Sequence, residues 1–310
     1  MFSAIFLLQK GILLMNKKRV FTGAATALIT PLTPDGIDYD AFGKLIDWQI
    51  DSGIDALVIC GTTGEASTLN DEEHIAAIAY AAKRINHRVP LIAGTGSNDT
   101  EHAIKLATLA EEAGADSLLV VTPYYNKTSQ RGLIRYYTRI ADSVSIPIIL
   151  YNVPSRTGVN IEPATFAALA NHPNIVAIKE ANGNLSKIVE TMALVGDKLD
   201  LYSGNDDQIV PLLSLGGVGV ISVLSNLLPE KTHDIYARFA EGDVKGSAAL
   251  QFEMHKLIGA LFSDVNPIPV KAAMAAMGFC ENYLREPLIP MEKVAEEKLL
   301  EAMREQGINV

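Results

Sequence analysis

Cysteine is nearly absent from this 310-residue chain. Cys60 and Cys280 are the only two, too few and too far apart in sequence for a disulfide framework, and neither belongs to a C-x-x-C pair. The expected compartment is a reducing cytoplasm. Basic runs are missing as well: 26 lysines and arginines face 36 acidic residues, giving a formal net charge of −10. No block of five or six cations interrupts that balance, which excludes a nucleic-acid partner. Nor does the longest uncharged run of the chain's opening approach the roughly 20 residues that cross a bilayer. The apolar opening MFSAIFLLQKGILLMNKKR places its basic cluster after the apolar part and shows no small-x-small cleavage site, so it does not read as a secretory signal. It reads as an extension from an upstream start, with Met15 as the effective beginning of the folded chain.

What is present is a chain that is 48% hydrophobic, enough for one large core. Eight apolar runs recur at a spacing of roughly 30 residues, each followed by a helix-period segment. They are AATALIT (24–30), DALVIC (55–60), PLIAGT (90–95), DSLLVV (116–121), PIILYN (147–152), NIVAIK (174–179), DLYSGN (200–205) and GVGVISV (217–223). Strands this uniformly apolar are buried on both faces, as in a parallel sheet covered by helices. Between them lie helix signals such as Asn70 with Glu73 three residues on, and SNDTEHAIKLATLAEEAG, closed by Gly114. The pattern predicts an α/β fold, a (β/α)8 TIM barrel over 20–227, preceded by an extension over 1–19 and followed by a C-terminal helical domain over 228–310. A doubly wound sheet is the competing architecture. It is weakened by the lack of a G-x-G-x-x-G turn after the first strand.

In such a barrel the chemistry gathers where strands end. Strand two runs into GTTGE (61–65), strand four into TPYYN (122–126), strand five into YNVPSRTG (151–158), strand six into Lys179 and Glu180, and strand seven into SGND (203–206). An amine placed among apolar side chains loses hydration of its charged form, so its pKa falls and the neutral form becomes a nucleophile toward a carbonyl carbon. Lys179 is therefore the candidate for Schiff-base chemistry. The same chemistry needs a proton carrier, and Tyr151, ending the neighbouring strand, is placed to supply it, with Thr62 and Tyr125 as hydroxyl partners. The GTTGE turn, with Gly61 and Thr63, offers N–H groups and hydroxyls for a small carboxylate. Arg156, in a proline-containing loop, suits a second carboxylate. These cations would have to reverse, locally, the acidic field of the whole chain.

Metal-assisted aldol chemistry is the competing mechanism and needs clustered histidines or carboxylates. His74, His102, His233 and His255 fall on expected helices, while His87 and His172 precede strands three and six, on the face remote from the mouth. They read as surface or core residues.

Taken together, GTTGE, VTPYYNK, YNVPSRTG, IKEA and the NPIPVK segment at 266–271 resemble the pyruvate-dependent class I aldolases grouped around dihydrodipicolinate synthase and N-acetylneuraminate lyase. The resemblance runs from about Phe21 to the C-terminus and is strongest to the dihydrodipicolinate synthase branch. It implies that Lys179 forms a Schiff base with pyruvate, that Tyr151, Thr62 and Tyr125 form a proton relay, and that Thr63 and the Gly61 turn hold the pyruvate carboxylate. Gly204 and Ile221 would line the pocket with main-chain groups, and Arg156 would support the entrance and the carboxylate of L-aspartate 4-semialdehyde. No metal or organic cofactor is implied. A homotetramer built from two tight dimers is, with Tyr125 serving the relay of the partner subunit.

Lysine-inhibited relatives use an acidic residue on the helix after GTGxN, where this chain has His102. Asp71 stands where such relatives carry histidine, whereas His74, Asn98 and Tyr124 match. The resemblance thus marks His74, Asn98, His102 and Tyr124 as a possible effector site with weak or absent feedback. Two other functions compete with synthesis: another aldolase of the same barrel, acting on a sialic acid or a 2-keto-3-deoxy sugar acid, and a keto-acid-binding protein without turnover. Arg156 argues against the first, since polyols call for neutral partners. The intact set of Lys179, Tyr151, Thr62 and Tyr125 argues against the second.

Overall fold

The computed structural model describes residues 19–310, so the expected extension and its Met15 start lie outside the described residues, apart from Arg19. Eight parallel strands form the centre: β1 (Gly23–Ala27), β2 (Ala56–Ile59), β3 (Leu91–Gly94), β4 (Ser117–Val121), β5 (Ile148–Asn152), β6 (Ile175–Glu180), β7 (Asp200–Ser203) and β8 (Gly219–Ser222). They close into a barrel in which each strand pairs with its sequence neighbours and β1 pairs with β8. The architecture is a (β/α)8 barrel with helices between the strands and further helices at the C-terminus. Each strand falls within or at most one residue beyond the apolar run that announced it.

Seven helices of six or more residues fill the connections, α1 (Tyr39–Asp51), α2 (Asp71–Ile85), α3 (Thr100–Glu112), α4 (Gln130–Asp142), α5 (Pro163–Leu169), α6 (Leu185–Val195) and α7 (Ile209–Ser214), and a single helical turn, Pro154–Thr157, follows β5. The start of α2 follows its sequence signal. The Asn70 side chain accepts from the Glu73 N–H, and a Glu73 carboxylate oxygen accepts from the Asn70 N–H, so two otherwise unpaired donors of the first turn are satisfied reciprocally.

Alternation along the strands sorts the core into two shells. Ile149, Tyr151, Ala177, Tyr202 and Ile221 point inward and pack with Phe21, Val58 and Ile92 as a plug inside the barrel. Leu150 and Ile178 point outward into the larger cluster shared with the helices. Phe21 stacks on Tyr202 at 4.3 Å between ring centroids, and the Tyr202 hydroxyl donates to the Phe21 carbonyl at 2.7 Å, closing the end of the barrel opposite the strand tips. The plug is what leaves open only the end where the polar residues gather.

Beyond β8 come α8 (Pro229–Ala240), α9 (Val244–Leu261), α10 (Ile268–Ala276) and α11 (Lys293–Glu305). Helix α8 lies against the start of β1, where His233 Nδ1 meets Asp55 Oδ2 at 2.7 Å and that oxygen also accepts from the Ala24 N–H. Helix α10 drives Lys271 fully into the core, its Nζ 2.6 Å from the Thr30 carbonyl and 2.8 Å from Glu65 Oε1. No helix among the described residues is long and apolar enough to cross a membrane.

Candidate active site

The register of the barrel sets the key residues on adjacent strands side by side. Tyr151 of β5 is the direct neighbour of Lys179 on β6, which in turn neighbours Tyr202 on β7. All three alternate inward, so Lys179 rises over the Tyr151 ring with its Nζ 4.3 Å from the centroid. The amine is 5% exposed and, among the described residues, meets no carboxylate at ion-pair distance. Burial therefore brings its pKa from 10.5 down to about 7; the field of Asp206 opposes that fall and the field of Arg156 assists it. At about 1.4 kcal/mol per tenfold change in proton affinity, the charged form is disfavoured by about 5 kcal/mol. Close to neutral pH, about half of the amine is free to attack.

Tyr151 is 8% exposed. Burial raises its pKa, against the lowering effects of Arg156 and of a hydrogen bond with the Thr62 hydroxyl. The phenol therefore stays protonated at neutral pH and can move protons only by exchange with a partner hydroxyl. Lys179, Tyr151, Thr62, Thr63, Gly61, Arg156 and Gly204 line one cavity of about 540 Å³ at the open end of the barrel. Thr63 is buried and accepts from Asn266 Nδ2 at 3.0 Å; Arg156 Nη2 donates to the Asn266 carbonyl at 3.3 Å. At Gly204 an added Cβ would stand 3.2 Å from Lys179 Cε and 2.9 Å from Ala181 Cβ. The lysine stem thus occupies the space a side chain there would need.

Not every expected residue joins them. Tyr125 is 90% exposed, held at a φ of 65°, and is not on the cavity wall of its own chain. Ile221 lies in the interior plug, and Val223 lines the cavity in its place. His74 and His102, expected as surface or core residues, reach the cavity wall with Asp71 and Tyr124. Asn98 lies on a second cavity of about 220 Å³, where its carbonyl accepts from Asn126 Nδ2. His102 Nε2 is 2.8 Å from Asp71 Oδ1 and its Nδ1 is 3.1 Å from the Ser97 hydroxyl. Bonds from Lys105 and then His102 lower the Asp71 pKa to about 2. Among the described residues no three His, Cys, Asp or Glu side chains converge as a metal cage.

Three features of the site were missed. Asn266 joins Thr63 to Arg156 across more than a hundred residues of chain, although the Asn-Pro step in NPIPVK marked an irregular turn. Asp206 is buried beside the site with its carboxylate held by the Val223 and Leu224 N–H groups at 3.1 and 2.9 Å. Glu65 takes a left-handed conformation (φ 55°) and reaches behind the GTTGE turn to Lys271.

The comparisons with known proteins agree with this geometry. Residues 20–306 match the model of the dihydrodipicolinate synthetase family. A 4-hydroxy-tetrahydrodipicolinate synthase of Lachnoclostridium phytofermentans is 54% identical over 291 residues, covering 93% of this chain and 99% of that protein. The enzyme of the same name from Acetivibrio thermocellus is 52% identical over 292 residues, covering 94% and 99%. The crystal structure of dihydrodipicolinate synthase from Aquifex aeolicus superimposes with a TM-score of 0.91 at 43% identity, covering 93% of this chain and 99% of that one.

Proposed function

The chain belongs to the dihydrodipicolinate synthetase family, and from that premise we propose that it condenses pyruvate with L-aspartate 4-semialdehyde, the 4-hydroxy-tetrahydrodipicolinate synthase reaction of lysine and diaminopimelate biosynthesis. It is a lyase of the Schiff-base, class I aldolase type. The observation that carries the reading is a buried amine with its pKa brought to about 7, standing over a buried phenol at the closed barrel's mouth.

In the proposed mechanism the neutral Lys179 amine attacks the pyruvate ketone. The nitrogen gives up a proton as the ketone oxygen takes one, which yields a carbinolamine. A proton delivered through Tyr151 and Thr62 lets the hydroxyl leave as water, and the C=N bond forms as an iminium cation. Loss of a methyl proton neutralises it to an enamine, whose carbon attacks the aldehyde as the aldehyde oxygen takes a proton and the C=N iminium is restored. The substrate's own amine then displaces Lys179 by transimination, closing the ring and freeing the enzyme. Thr63 and the Gly61 turn hold the pyruvate carboxylate, supported by the burial of Thr63 against Asn266. Arg156 takes the carboxylate of the aldehyde, and Gly204 and the main chain of Ile221 border the pyruvate end.

The exposure of Tyr125 in a single chain supports a relay completed across a tight dimer, in which Tyr125 of the partner subunit reaches Thr62 and Tyr151. Two such dimers form a homotetramer; Leu185 and Val189 leave an apolar stretch of α6 exposed for that contact. The enzyme works in the cytoplasm, and residues 228–310 act as a C-terminal helical domain buttressing the barrel. Feedback by lysine at His74, Asn98, His102 and Tyr124 is weak or absent. His102 and Asp71 already satisfy each other, which leaves an effector's ammonium group without an unoccupied acceptor.

Borohydride reduction in the presence of pyruvate, followed by peptide mapping, should place a stable adduct on Lys179; an adduct elsewhere, or none, defeats the mechanism. A coupled assay with both substrates separates synthesis from mere pyruvate binding. In the same assay, inhibition by L-lysine at low millimolar concentration would contradict the assignment of weak feedback.

A further inference from the structure

Schiff-base chemistry creates a positive charge where there was none. Between the neutral amine and the neutral enamine stands the iminium cation, in a pocket that already contains Arg156. An unopposed cation there carries a large desolvation cost.

The main chain leaving β7 crosses the stem of Lys179 at Gly204, where an added Cβ would stand 3.2 Å from Lys179 Cε. Two residues later it delivers Asp206, 2% exposed, to the tips of β7 and β8. The Asp206 Oδ2 atom accepts the N–H groups of Val223, a cavity-lining residue, and Leu224. Its Oδ1 is sealed from solvent and makes no well-formed hydrogen bond, the Ser222 hydroxyl being the side-chain donor that bears on the carboxylate. A capping role explains the first oxygen and leaves the second unexplained. Two charged groups act on the Lys179 amine, Asp206 raising its proton affinity and Arg156 lowering it; burial raises the Asp206 pKa, and the Ser222 hydroxyl, the Leu224 and Val223 N–H groups and, last, the Lys179 charge oppose that rise. Glu180, although adjacent in sequence, turns outward to Asn152 and Asn182.

We propose that Asp206 is the counter-charge of the Lys179 iminium, a positioning residue that acts through space to favour the cationic Schiff base over the neutral species on either side of it. The inference rests on the Schiff-base reading of Lys179. No proton passes to Asp206: the iminium proton remains on nitrogen and the carbinolamine hydroxyl leaves as water through the relay.

Asp206→Asn separates charge from capping, because the amide oxygen accepts the same two N–H groups. The readout is the pH dependence of borohydride trapping with pyruvate, alongside steady-state kinetics. The acid limb of trapping should move to lower pH, since the free amine loses the group that raised its proton affinity, and kcat/KM for pyruvate should fall about tenfold. Asp206→Glu, which keeps the charge, should hold the acid limb at the wild-type pH even where turnover drops. An unmoved limb in Asp206→Asn, or an equal displacement in both variants, overturns the proposal while wild-type trapping at Lys179 leaves the parent reading intact. Absence of any wild-type adduct overturns both.

Discussion

Lys179 and Lys271 are both buried, at 5% and 0% exposure, yet the chain puts them to opposite uses. Lys271 enters the core from α10 with Glu65 and the Thr30 carbonyl waiting for its ammonium group. Lys179 enters the barrel mouth among apolar walls, with the flat face of Tyr151 beneath it and, among the described residues, no carboxylate at bonding distance. One lysine is a fixed cation that ties the C-terminal helices to the GTTGE turn; the other is an amine whose charge is unfavourable enough to be given up near neutrality. Burial alone therefore does not make a nucleophile. What decides is whether the folded chain provides acceptors for the three ammonium hydrogens.

The comparison breaks most visibly at Lys179. Replacing it by Met should lower turnover by on the order of a thousandfold or more, because no other group can form the covalent link. Stability should respond in the opposite sense. The folded-state pKa of about 7 lies below the 10.5 of a free lysine, so below pH 7 the wild type carries the full penalty of burying a charge. As pH rises from 7 to 10.5 the unfolded chain holds a proton that the folded one lacks, and folding stability climbs. That window contributes about 5 kcal/mol. Denaturant melts at pH 6.5 and 9.5 should show wild-type stability rising between the two, and the Met variant should lack that component of the rise. A wild-type curve that falls across this window would mean that Lys179 is charged and paired in solution.

Lys271 sharpens the contrast from the other side. Glu65→Gln removes the compensating charge and leaves the ammonium stranded in the core, at a cost of roughly 3–5 kcal/mol. Adding Lys271→Met should recover most of that loss, since a buried pair replaced by apolar groups of similar volume is often neutral. A urea-melt double-mutant cycle measures the coupling. Additive effects would show that the two side chains do not depend on each other.

The same contrast explains what was legible in the sequence. The barrel was readable because eight doubly buried strands leave continuous apolar runs, and the Lys179–Tyr151 pairing because consecutive strands of a barrel are neighbours, so that residues ending them meet. Asn266 and Thr63 are 203 positions apart, and no local pattern announces that the turn into α10 will reach strand two. Glu65 looked like the polar end of a turn, while its left-handed backbone and its partner on α10 are properties of the assembled core. Ile221 was expected to offer main-chain groups to the pocket, and what no pattern announced is that its side chain turns inward on β8 into the plug. Tyr125 was expected in the relay, and in a single chain its ring stands 90% exposed, away from Tyr151 and Thr62.

The smallest effect is expected at the polar link between the two regions. Asn266 donates to the Thr63 hydroxyl and accepts from Arg156 through its carbonyl, so the C-terminal segment holds both proposed carboxylate sites without touching the reacting carbon. Only the first of these bonds uses the side chain. Asn266→Ala should therefore loosen Thr63 by about one neutral hydrogen bond, about 1 kcal/mol, and raise KM for pyruvate about fivefold with kcat nearly unchanged. The KM for the aldehyde should move less, because the backbone carbonyl that receives Arg156 survives the substitution. If instead kcat falls and both KM values hold, Asn266 acts on the chemical step, and the division between a reacting lysine and a supporting segment has been drawn in the wrong place.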